Sequence, residues 1–162
     1  MDTKDKATEK AKEVLHDLIQ INNDRIQGYE KAAGEIKDPA DAEIKSIFYQ
    51  MAEESRHYKD NLNESLVRLG GKREENSTAS GKIYRAWMDV KATFSGDNTF
   101  AALQSCEFGE DAALKAYREA LVKKSELPGG VRSVIETQYE LLKVSHNRIR
   151  RYRDEFAAAK TH

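Results

Sequence analysis

Apolar positions recur along this chain every three to four residues, the spacing of one face of an α-helix. The stripe Leu15, Leu18, Asn22, Ile26, Tyr29 and Ala33 predicts a first helix over residues 4–36. Lys37-Asp38-Pro39 ends it, because a proline disfavours helical geometry in the residue before it. Ile44, Ile47, Met51, Glu54, Tyr58, Leu62 and Leu69 predict a second helix over 41–69, closed by Gly70-Gly71. Residues 72–78, KREENST, read as a polar loop. The stretch SGKIYRAWMDVKATF then carries Ile83, Trp87, Val90 and Phe94 on one face and predicts a shorter amphipathic helix. Ser95-Gly96-Asp97 interrupts it, with Asp97 placed to cap the next helix. Phe100, Leu103, Cys106, Glu110, Leu114, Tyr117 and Leu121 predict a third long helix over 98–124. Beyond Glu126-Leu127-Pro128-Gly129-Gly130, the positions Val131, Ile135, Tyr139, Leu142, His146, Ile149 and Phe156 predict a fourth over 130–158.

Two hairpins of long helices therefore flank a connection that contains its own helix: 4–69, then 70–97, then 98–158. A helix of about 28 residues is roughly 42 Å long at 1.5 Å per residue. A connection with a four-turn helix can travel back along that length, whereas a simple up-down-up-down bundle needs only a short link. One long crossover between two antiparallel pairs is the ferritin-like topology, so the expected fold is an all-α, ferritin-like four-helix bundle forming a single domain over 1–162.

Composition agrees with this class. Charged residues make up 34% and the hydrophobic set 39% of 162 residues, the balance of a globular chain that can bury a core. A formal net charge of −1 supplies no global field toward nucleic acid or anionic lipid. The single Cys106 excludes an internal disulfide and fits a reducing cytoplasm. Neither a bilayer-spanning apolar run nor the apolar core of a secretory signal is visible, so the expectation is a cytoplasmic protein with no membrane and no nucleic-acid partner.

The candidate chemistry begins with Glu54-x-x-His57. On a helix this spacing puts both side chains on one face, and in ferritin-like bundles it is half of a two-metal carboxylate site. The two hairpins resemble each other: Tyr29 and Tyr117 precede Pro39 and Pro128 by 10 and 11 residues, and His57 and His146 follow those prolines by the same 18 residues. These anchors pair Asn22 with Glu110 and Glu54 with Lys143, although the apolar positions around the two histidines superpose poorly at this register. A complete site takes one Glu from each of two helices and a Glu-x-x-His from each of the other two. Here Glu54, His57, Glu110 and His146 remain, while Asn22 and Lys143 stand where carboxylates are expected.

Charge limits what this set can hold. Glu54 and Glu110 against Lys143 give a net of −1, so two divalent ions would leave roughly +3 in the core unless Asp24 or Glu107 swung in; uncompensated buried charge costs several kcal/mol or more. One iron, manganese or zinc ion on Glu54, His57, Glu110 and His146 is compatible with the donor types. With no cofactor at all, Glu54 and Glu110 facing Lys143 and a protonated His146 would balance near neutrality, a polar core network without chemistry. The metal-free arrangement is the leading expectation. The alternative is an iron- or manganese-binding oxidoreductase or iron-handling protein using the residual Glu/His set, so whether the chain is an enzyme stays open at this point.

The stretches LIQINNDRIQGYEKAA, YRAWMDVKA and CEFGEDAALKAYREAL resemble a bacterial family of ferritin-like four-helix bundles of unassigned function, distantly related to rubrerythrin. The resemblance spans residues 13–153. It implies a ferritin-like bundle in a cytoplasmic bacterial protein, in a class with some stress-associated relatives. The rubrerythrin-type metal pattern carries over only at Glu54, His57, Glu110 and His146. Rubrerythrins also bear a cysteine-ligated iron module, which a lone Cys106 cannot supply.

Other features have plainer readings. Tyr29 and Tyr117 lie within two turns of the candidate site and read as core tyrosines with satisfied hydroxyls. Trp87 reads as the anchor of the crossover helix. The basic run from His146 to Arg153 reads as a solvated face, and Cys106 as a small buried hydrophobe. A homo-oligomer sharing apolar surface between chains is a further expectation.

Overall fold

The computed structural model describes residues 3–75, 98–122 and 126–160. Four long helices make up nearly all of it: α1 (Thr3–Glu35), α2 (Ala42–Arg68), α3 (Asn98–Val122) and α4 (Gly129–Lys160), with one 3-10 turn at Pro39–Asp41. The boundaries fall within two residues of those expected from the apolar stripes. The predicted crossover helix and the Asp97 cap lie outside the described residues.

Local chemistry explains the breaks. Asp38 takes the cap position before Pro39, and its carboxylate accepts from the Ala40 N–H at 2.9 Å. At the end of α2 the Gly71 N–H donates to Leu66 O and the Gly70 N–H to Val67 O, both at 2.9 Å. This is the Schellman closure, and it places Gly70 at φ 88°, where a side chain is disfavoured.

Side-chain pairs fix the directions of the helices. The Tyr29 ring packs at a tilt against Phe48 with ring centroids 5.7 Å apart, and Arg25 reaches Ser55, so α1 and α2 are antiparallel. Asn22 meets Tyr117 and Arg25 meets Glu110, which makes α1 and α3 antiparallel neighbours. Glu54 meets Ser145 and Tyr58 meets Gln138, which does the same for α2 and α4. It follows that α2 and α3 run parallel. Consistent with that, Thr99 at the start of α3 donates to Asp41 at the start of α2, at 2.8 Å. Past the end of α2, Glu74 ties the chain back onto α1 and α2. Glu74 exchanges hydrogen bonds with the buried Asn63 side chain at 2.8 and 3.2 Å, and its carboxylate reaches His16 and Gln20 of α1.

Apolar burial holds the bundle together, at roughly 1.5–3 kcal/mol for each fully buried large aliphatic or aromatic side chain. The core falls into two clusters. One gathers Tyr29, Ala33, Phe48, Met51, Leu103, Cys106 and Ile149. The other gathers Leu15, Leu18, Ile19, Leu62, Tyr117, Ile135 and Leu142. A layer of buried polar side chains lies where they meet. Among the described residues, no helix is long and apolar enough to cross a membrane.

Candidate functional site

The polar layer is centred on Arg25, whose side chain is only 1% exposed. A guanidinium carries five fixed donors and keeps its charge, so burying one demands partners on every side. Nε donates to Glu110 Oε1 at 2.8 Å, and Nη2 lies 2.6 Å from the same oxygen. Nη1 donates to Ser55 Oγ at 2.6 Å and to the Met51 carbonyl at 3.2 Å. The rings of Tyr29 and Tyr58 flank the cation at 5.1 and 5.9 Å. Burial, the largest single influence, would lower the Arg25 pKa, but the Glu110 carboxylate together with Tyr29 and Tyr58 outweighs it, and the net direction is upward.

Glu110 is fully buried on α3. Its Oε1 also accepts the Tyr29 hydroxyl, so three donors converge on one oxygen. Its Oε2 has no hydrogen-bond partner. A second chain of hydrogen bonds runs alongside. Asn22 Nδ2 donates to Tyr117 Oη at 2.9 Å, Tyr117 donates to Gln138 Oε1 at 2.6 Å, and Gln138 Nε2 donates to the Tyr58 carbonyl at 3.1 Å. Burial raises the pKa of all three tyrosines, with that of Tyr58 pushed up to about 12. The Glu110 charge adds to the rise at Tyr29, while Arg25 opposes it at Tyr58.

The internal resemblance of the hairpins reappears here as geometry. Asn22 and Glu110 occupy matching positions in α1 and α3, as do Tyr29 and Tyr117. Each tyrosine pairs with the other helix's residue of the first set: Tyr29 with Glu110, and Tyr117 with Asn22. Swapping the hairpins exchanges the two pairs. The position matching Arg25 is the small, buried Ala113, which leaves room for a single large cation across the middle.

The four residues expected to form a metal set lie in different surroundings. Glu110 is in the core, paired with Arg25. Glu54 is half-buried between α2 and α4 and accepts from Ser145 Oγ at 3.1 Å. His57 is exposed. His146 lies between α3 and α4 with Nε2 2.5 Å from Asp111 Oδ1. Among the described residues, no three His, Cys, Asp or Glu side chains converge as a metal site would require.

The expected role of Lys143 needs correction. The buried positions of α4 are Val131, Ile135, Gln138, Leu142, Ser145 and Ile149, and Lys143 sits one residue off that stripe. Its ammonium faces outward, pairs with Glu140 at 3.0 Å and lies over the Tyr139 ring; its side chain is 45% exposed. Counting from proline to histidine thus puts α4 slightly out of phase. The core cation comes from α1 instead. A signal for it is present in the sequence, since Asn22, Arg25 and Tyr29 share one helical face at i, i+3 and i+7. Ser55 and Gln138, which complete the layer, carry no such signal.

No curated protein matches the chain. Residues 10–123, comprising most of α1, all of α2 and α3 and the segment between, match the family described as domain of unknown function (DUF2383), and the chain belongs to that family.

Proposed function

We propose that this chain is a ferritin-like bundle, one domain over its whole length, in which a guanidinium takes the space of a metal pair and which acts through its surface rather than by catalysis. The observation that carries this is the Arg25–Glu110 pair. In the two-metal class, inward-facing carboxylates exist to neutralise cations. Here the buried carboxylate of that position is already neutralised by a cation of the chain itself, held by Ser55, Met51 O and two tyrosine rings. A divalent ion at Glu110 would have to displace Arg25 or sit beside its positive charge, and like charges in a core are strongly unfavourable.

One observation favours a second reading, in which Glu54, His57, Glu110 and His146 retain a single iron, manganese or zinc ion: Glu110 Oε2 has no hydrogen-bond partner. Elemental analysis separates the two. Protein grown in iron- and manganese-replete medium and purified without chelator should carry far less than one metal per chain. Near-stoichiometric metal that disappears in His57→Ala would establish the second reading and remove the first.

A further inference from the structure

The outward face of α4 is unusual in carrying large apolar side chains at its middle. Val144 is 65% and Leu141 46% exposed. They belong to a row, Thr137, Leu141, Val144, Arg148 and Arg151, spaced alternately four and three residues apart. That is the spacing of a helix seam packed against another helix. Leu141 also borders a shallow cleft of about 230 Å³ shared with Tyr58 and Asn61 of α2.

Charge along the same face is divided. Glu140 stands on the N-terminal side of Val144, and Arg148 and Arg151 stand on the C-terminal side. Among the described residues neither arginine has an ion-pair partner, while Glu140 holds only the exposed Lys143. Val144 lies at the midpoint of α4 (Gly129–Lys160). We propose that this face binds a second copy of the chain, with α4 packed antiparallel against its twin about a two-fold axis at Val144.

The self-complementarity argues for a copy rather than an unrelated partner. In an isologous contact the same patch serves both sides, so it must contain its own complement. About an axis at Val144, antiparallel packing sets Val144 on Val144, Glu140 on Arg148 of the other copy, and Thr137 on Arg151. A parallel arrangement would instead set arginine on arginine. The apolar centre is small, so the contact belongs at the low end of specific interfaces, below about 1,200 Å² in total. The inference is independent of the metal question, since none of these residues belongs to the polar layer.

The test uses the full chain. Light scattering coupled to gel filtration, from about 10 to 500 μM to bracket the weak affinity of so small an interface, should show the mass rising from 18.4 kDa toward twice that value. A mass of 18.4 kDa throughout overturns the proposal. Val144→Glu should weaken the dimer at least ~10-fold, as loss of a central contact does. Arg148→Glu and Glu140→Arg should each weaken it several-fold, with the double variant restoring it, because rim charges act through complementarity. Val144→Cys should oxidise to a covalent dimer, while Tyr49→Cys, exposed elsewhere on α2, should not. A dimer indifferent to Val144→Glu, or a charge swap without rescue, places the contact elsewhere and contradicts the proposal.

Discussion

Replacing Glu110 with Gln tests the polar layer while changing little else. The substitution keeps the size of the side chain and an acceptor for Tyr29 and Arg25, but removes the one carboxylate that, among the described residues, pairs with a guanidinium that is 1% exposed. The remaining partners of Arg25 are neutral: Ser55 Oγ, the Met51 carbonyl and two tyrosine rings. Breaking a buried pair from one side leaves an uncompensated charge and costs about 3–5 kcal/mol. For a chain of this size each kcal/mol lowers Tm by about 2–4 °C, so the midpoint should fall by about 6–20 °C. Urea unfolding followed by helical circular dichroism measures the loss directly. Arg25→Met combined with Glu110→Gln should recover much of it, with a coupling of at least ~2 kcal/mol between the two sites, because neither charge is then stranded. A loss below about 1 kcal/mol, the scale of an exposed ion pair, would show that the pair is hydrated and the reasoning wrong.

Lys143→Ala should leave stability within about 0.5 kcal/mol of the parent, as expected for an exposed side chain, in the same urea assay; a loss of several kcal/mol would restore Lys143 to the core. Gly70→Ala should destabilise by about 1 kcal/mol, because φ 88° suits glycine and the cost is conformational, with no atom beyond the adjacent residues within 4 Å of the added methyl. Alkaline titration should show Tyr29, Tyr58 and Tyr117, three of the seven tyrosines, ionising late. Their folded pKa values lie above the unfolded value of about 10, so their stabilising contribution is complete below pH 10 and is lost as pH rises, through about 12 for Tyr58. Phenolate absorbance for these three should therefore appear together with unfolding, and smooth ionisation of all seven in the folded state would contradict the burial.

The architecture was legible because a helix buried on one side repeats its apolar positions every three or four residues, and Leu15, Leu18, Tyr29, Met51, Leu103, Tyr117 and Ile135 follow that rule into the core. Breaks were legible for equally local reasons, as at Pro39 and Gly70. The chemistry at the centre was less so. Arg25 is charged, and charged residues are almost never fully buried unless paired. Its partner Glu110 lies 85 residues away on another helix, and no local pattern links the two. The matching of Asn22 with Glu110 and of Tyr29 with Tyr117 did capture a real relation, visible as the exchanged hydrogen bonds between α1 and α3. The extension to α4 failed because loop lengths need not be equal in two hairpins. An offset of one residue rotates a helix by about 100°, which is enough to move Lys143 from the interior to the surface.

The most direct test of the account is anomalous diffraction from crystals soaked in iron or manganese, recorded at each metal's absorption edge. No anomalous peak should appear at the bundle centre, and the Arg25 guanidinium should lie within hydrogen-bond distance of Glu110. A metal peak ligated by Glu110, with Arg25 turned away from it, would contradict the account.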